Sequence, residues 1–120
     1  MGRDIARMIL AVDKHGAIHV FVSTDDAERC LEAIDVQNDS IEFCDALGQR
    51  YFPTYTRPPK QSRVGPIGVM DIGAFRLVAE GDIDPGLPER FIGRAQHVEH
   101  TSISSVTSIE ALRRELHKRE

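Results

Sequence analysis

Met8-Ile-Leu-Ala-Val-Asp-Lys-His-Gly-Ala-Ile-His-Val-Phe-Val22-Ser-Thr-Asp-Asp26 is the stretch from which the fold can be read. Met8 to Val12 is the longest unbroken apolar run in the chain and has the composition of a buried strand. Asp13-Lys-His-Gly16 follows as a turn, with a glycine free to take a positive φ, and Ala17 to Val22 returns as the second arm of a hairpin. Ser23-Thr-Asp-Asp26 then opens a helix. A hydroxyl can cap the free N–H groups there, and two carboxylates lie at the positive end of the helix dipole. Ala27, Cys30, Leu31 and Ile34 recur at helical spacing and predict one amphipathic helix with Cys30 on its core stripe. Val36 to Asp39 ends it.

Downstream, Ile41–Asp45 and Gln49–Tyr55 read as a second hairpin about Ala46-Leu-Gly48, and Pro53 marks an edge or the end of a strand. The prolines and glycine between Arg57 and Pro66 predict an exposed, irregular loop. Ile67 to Val78 is strand-like with bends at Gly68 and Gly73, and Glu80 to Pro88 is an acidic loop. Arg90 to Ile103 admits either a short helix over 89–94 followed by a strand, or one irregular strand. Thr107 with Glu110 forms a capping-box pattern for a last helix, striped by Ile109, Leu112 and Leu116. Strands in consecutive runs predict an α+β fold: a mostly antiparallel sheet, an amphipathic helix after the first hairpin, and a C-terminal helix. Residues 1–7 are polar and patternless, which predicts a disordered extension ahead of a single domain over 8–120.

The 120 residues are 41% hydrophobic and 28% charged, which excludes collagen-like, low-complexity and fully disordered chains. No apolar run approaches the roughly 20 residues that span a bilayer, and two cysteines do not make a disulfide framework. A cytoplasmic protein without membrane association is expected. The net charge of −4 is unevenly spread: residues 24–45 hold eight acids and one base, while residues 46–65 hold four bases and no acid. That balance disfavours nucleic acid as a partner and suits a basic protein.

The motifs for chemistry are sparse. His97-Val-Glu-His100 supplies two imidazoles where a zinc site needs three or four ligands, and the spacing is one residue short of a zincin helix. Ser102, Ser104 and Ser105 lack a nucleophile elbow, and both cysteines lack the basic neighbours that activate a thiol. The glycines at 65, 68 and 73 fit no phosphate-binding loop. Arg57, Lys60 and Arg63, preceded by Tyr51, Phe52 and Tyr55, carry the one pattern suited to nucleic-acid contact, and it is outweighed by the acidic remainder. No catalytic residue, metal or cofactor is therefore expected. The candidate partner-binding groups are the acids on the outer face of the first helix, Asp25, Asp26, Glu28 and Glu32, with Glu80, Asp82 and Asp84 of the acidic loop.

One segment is similar to a known group. The opening hairpin, Ser23-Thr-Asp-Asp-Ala-Glu28, Leu31-Glu-Ala-Ile-Asp-Val-Gln-Asn38, Ile41-Glu-Phe and Asp45-Ala-Leu-Gly-Gln-Arg-Tyr51 resemble bacterial immunity proteins of the polymorphic-toxin and contact-dependent-inhibition type, over residues 8–52. The resemblance implies a non-enzymatic inhibitor that binds one cognate toxin domain in the cytosol of the producing cell. A small hydrolase or metal-dependent enzyme using His97 and His100 is the alternative, and a structural or oligomeric module is the third reading.

Overall fold

The computed structural model describes residues 8–57, 60–64, 67–71 and 73–117. The expected extension over 1–7 lies outside them. The fold is α+β. Its main sheet has six strands in the order β7-β4-β3-β1-β2-β8, and a separate two-stranded ribbon pairs β5 with β6. The strands are β1 (Ile9–Val12), β2 (Ala17–Phe21), β3 (Glu42–Asp45), β4 (Arg50–Arg57), β5 (Lys60–Val64), β6 (Ile67–Asp71), β7 (Ala74–Ala79) and β8 (His97–Thr101). The helices are α1 (Thr24–Cys30), α2 (Ala33–Asn38), α3 (Leu87–Arg94) and α4 (Ile109–His117). All pairings in the main sheet are antiparallel except β2 with β8.

The apolar run at 8–12 is explained by β1's central place. Met8, Leu10 and Val12 pack with Leu87, Phe91, Ile92, Leu112 and Leu116 of α3 and α4 on one side. Ile9 and Ala11 pack with Ala27, Ala33 and Val36 of α1 and α2 on the other. A strand covered on both faces has no polar positions to alternate with. The first hairpin has the expected register, Ile9 opposite Phe21 and Val12 opposite Ile18, and Gly16 takes φ +86° in its turn.

The single helix expected after that hairpin is two. α1 ends at Cys30, Leu31 is extended, and α2 restarts at Ala33. Its stripe shifts accordingly. Ala27, Ala33 and Val36 are buried, Leu31 is only half-buried, and Cys30 lies at the surface with its thiol directed at Asp26. Val36, placed in the break by the periodicity, is a core residue of α2.

Residues 60–64, expected as part of a loop, depart from expectation: they form β5, which pairs with β6, Val64 opposite Ile67. Residues 67–71 and 74–79 are strands, as expected. Neither β5 nor β6 contains a proline, so their ladder loses no donor. Pro53, by contrast, stands inside β4. It is opposite Leu77 of β7 and beyond the last β3 partner, Phe43–Tyr51, where no N–H is required of it. The ambiguous 90–103 stretch resolves as helix then strand. The last helix is capped by Ser108, whose Oγ accepts the Ala111 N–H at 3.1 Å, one residue later than the Thr107 box.

Candidate functional site

The acidic candidates separate into groups used inside the molecule and groups left to solvent. Asp26 is buried at the start of α1 and accepts hydrogen bonds from the Val22 N–H, Arg29, Cys30 and Ser102 Oγ. Burial alone would raise its pKa, but those donors outweigh it and hold the carboxyl below the ordinary carboxylate value. Glu28 points at strand β7. Its Oε2 accepts the Leu77 N–H at 2.7 Å and its Oε1 the Arg76 Nε at 3.0 Å. Since β7 is an edge of the sheet, Glu28 occupies a backbone donor that would otherwise face solvent. Neither residue belongs to an outward acidic face of the helix. Asp25 and Glu32 do remain exposed.

The second group lies at the far end of the sheet. A cleft of about 330 Å³ is lined by Phe52, Glu80, Asp82, Asp84, Leu87 and Arg90, with Arg50 beside them. Gly48 holds this loop in place. Its φ is +97°, a Cβ at that position would run into the Asp84 carbonyl, and its own carbonyl accepts the Asp84 N–H at 3.0 Å. Gln49 Nε2 donates to the carbonyls of Glu80 and Gly81. Asp84 pairs with Arg90, which holds its carboxyl below the usual range. Arg50 is committed to Glu42 at 3.2 Å and lies over the Phe91 ring. The Glu80 and Asp82 carboxylates are exposed and have no ion-pair partner among the described residues.

Around that cleft the sheet surface is apolar. α3 and α4 cover β1, β2 and β3 on their face but leave β4 and β7 open, so Phe52 (43% exposed) and its cross-strand partner Val78 (47%) stand bare. Leu47 and Ile83, in the two loops joined through Gly48 and Asp84, are also exposed. Four of the five exposed large hydrophobic side chains of the described chain thus belong to the cleft or its bounding segments.

The histidines form a second grouping, most of it invisible in the sequence. β8 carries one extra residue where its register on β2 shifts, so that Ile18 is opposite Val98 and His19 opposite His100. His97 and Glu99 line a groove beside His19, and the extra residue brings His100 onto the same face, opposite His19. His100 lies against the Phe21 ring, with centroids 5.4 Å apart. His97 and Glu99 join Asp13, His15, His19, Asp35 and Asp39 around this groove, of about 340 Å³. No group of three or more His, Cys, Asp or Glu residues among the described residues is arranged to hold a metal ion.

Ser102, the serine nearest these imidazoles in sequence, donates to Asp26 instead of to a histidine. Burial pushes the thiol pKa of Cys44 well above the ordinary range and raises that of Cys30, so neither is an activated nucleophile. The aromatic residues beside the basic segment do not form one stacking platform. Tyr51 and Tyr55 pack toward α1 and α2, whereas Phe52 faces the opposite way. Arg57 ends β4, while the side chains of Lys60 and Arg63 lie outside the described residues.

No helix among the described residues is long and apolar enough to cross a membrane. The chain matches no protein-family model, no curated protein and no solved structure.

Proposed function

We propose that this chain is a non-enzymatic immunity protein, which binds and neutralises a cognate basic toxin domain in the cytoplasm of the cell that makes both. The observation supporting this reading is the cleft beside Phe52 and Val78. An uncovered apolar sheet face is bordered there by two uncompensated carboxylates, Glu80 and Asp82, while the nearby cations Arg50 and Arg90 are already paired. Apolar anchors surrounded by charge of one sign are the composition of a specific protein interface. The excess negative charge selects a basic partner and speeds its encounter. The binding surface is therefore narrower than the full acidic set: Glu80 and Asp82 with Phe52 and Val78 form its centre, Asp84 shapes the loop, and Asp25 and Glu32 lie on a separate element.

The experiment is capture with the tagged chain from lysate of its source, followed by expression of the captured protein alone and together with this chain. A stoichiometric basic partner that arrests growth alone, is silenced by co-expression, and escapes a Phe52→Ala/Asp82→Lys variant would support the reading. A chain that silences no partner, or silences it equally well in the double variant, would defeat it.

A further inference from the structure

The two edges of the main sheet are finished differently. At one edge, β7 has its Leu77 N–H occupied by the Glu28 carboxylate at 2.7 Å. At the other, β8 has a single strand neighbour, β2, and its sequence His97-Val-Glu-His-Thr101 holds no proline or lysine. Among the described residues no side chain accepts a backbone N–H of that strand. Alternate residues of such an edge turn their N–H and C=O groups away from the sheet, a template for one more strand. We infer that a second copy of this chain supplies it: β8 pairs antiparallel with β8 of the other copy about a two-fold axis at Val98, joining the two main sheets. The inference does not rest on the proposed toxin partner.

Both the occupant and the register follow from the self-complementarity of β8. With the axis at Val98, His97 faces Glu99 of the second copy, Glu99 faces its His97, and Gln96 faces its His100. The two charged positions are available for this, with His97 55% exposed and Glu99 58% exposed. Within one copy His97 Nε2 lies 2.8 Å from Glu99 Oε1, which leaves the other carboxylate oxygen for the second copy. Moving the axis one residue either way loses the match. It sets Glu99 against Glu99 or His97 against His97, and like groups directly opposite oppose pairing.

The bulge favours the same register. Glu99 is the extra residue of β8 and has no partner on β2, where Ile18 is opposite Val98 and His19 is opposite His100. On the free side it gains the imidazole of the second copy. β4, β7 and the cleft lie toward the other edge of the sheet, so this pairing leaves the cleft open in both copies.

The test is sedimentation equilibrium on the full chain up to about 1 mM, with amide hydrogen exchange at low and high concentration. Five-residue strands bury little area, so a weak dimer that grows with concentration is expected, and protection over 97–101 should rise with it. His97→Glu sets carboxylates against each other, and Glu99→Lys removes the acid. Each should weaken self-association about tenfold, the effect of two cross-strand pairs. Both side chains are exposed, so the fold should be kept. In an equimolar mixture of the two variants the opposing charges match again, and mixed dimers should form at least as well as those of the unaltered chain. A monomer at every concentration, a dimer that neither variant weakens, a dimer weakened by both but not restored in the mixture, or dimerisation without added protection over 97–101 would each overturn the pairing.

Discussion

Asp26 and Glu28 have the same charge and stand two positions apart on α1, yet each is assigned its role by a different distant segment. Asp26 anchors the segment after β8 through Ser102, and Glu28 seals β7. Because Asp26 has a lowered pKa, its contribution to stability is complete above 3.8 and is lost as pH falls through the folded value. Asp26→Asn should therefore flatten the acid limb of a stability–pH profile measured by urea melts. Removing Glu28 leaves the Leu77 N–H without its acceptor. Glu28→Ala should cost about 1–3 kcal/mol and increase self-association, read by chemical denaturation and light scattering. A third comparison tests the helix faces. Leu112, fully buried, should lose about 2–5 kcal/mol on replacement by alanine, whereas half-buried Leu31 should lose clearly less.

At the scale of elements, the first hairpin, the start of α1, the second hairpin and the last helix are legible because each is set by local chemistry. Apolar runs, a glycine turn and capping hydroxyls act over a few residues. The break between α1 and α2 was not legible. Leu31 and Glu32 carry no breaker, and the interruption follows from the need to bring both Ala27 and the Ala33–Val36 pair onto the sheet. Ser108 and Thr107 are adjacent hydroxyls, and serine is the stronger N-cap of the two, so the helix starts one residue after the Thr107–Glu110 pattern. The acidic loop is positioned by Gly48, an element-level dependence that can be tested. Gly48→Ala combines a left-handed backbone with a collision against Asp84, and should cost at least about 1 kcal/mol. It should also weaken partner binding, since the Glu80–Asp84 loop must shift.

For the molecule as a whole, helices cover both faces of β1 and neighbouring strands but leave one face of β4 and β7 bare, so the double-covered core and the proposed binding face lie on different parts of the sheet. That separation predicts independence. Charge reversal at Glu80 and Asp82 should leave urea-unfolding stability within about 0.5 kcal/mol, as expected for unpartnered surface groups, while reducing affinity for the captured partner at low salt. The candidate cleft was half legible. Its acids stand together in sequence at 80–84, but Phe52 and Val78 become neighbours only through the β4–β7 register, and a lone exposed Phe or Val in a sequence carries no sign of exposure. The histidine groove was less legible still. Its three imidazoles come from residues 15, 19 and 97, and a β-bulge decides that His100 shares a face with His97.

The sequence by itself determined the class of fold, a buried strand at 8–12, the two hairpins around it and after it, and the excess of negative charge, because all of these follow from short-range periodicity and composition. Only the tertiary structure decided the strand order, the parallel docking of β8, which carboxylates are consumed internally, and which apolar side chains stay bare. Those outcomes depend on partners brought together from separations of about fifty to eighty residues, as in Glu28 with Leu77 and Asp26 with Ser102. No local pattern encodes such a partner. Glu28 could have been read as a surface acid until β7 arrived beside it with an unpaired backbone N–H.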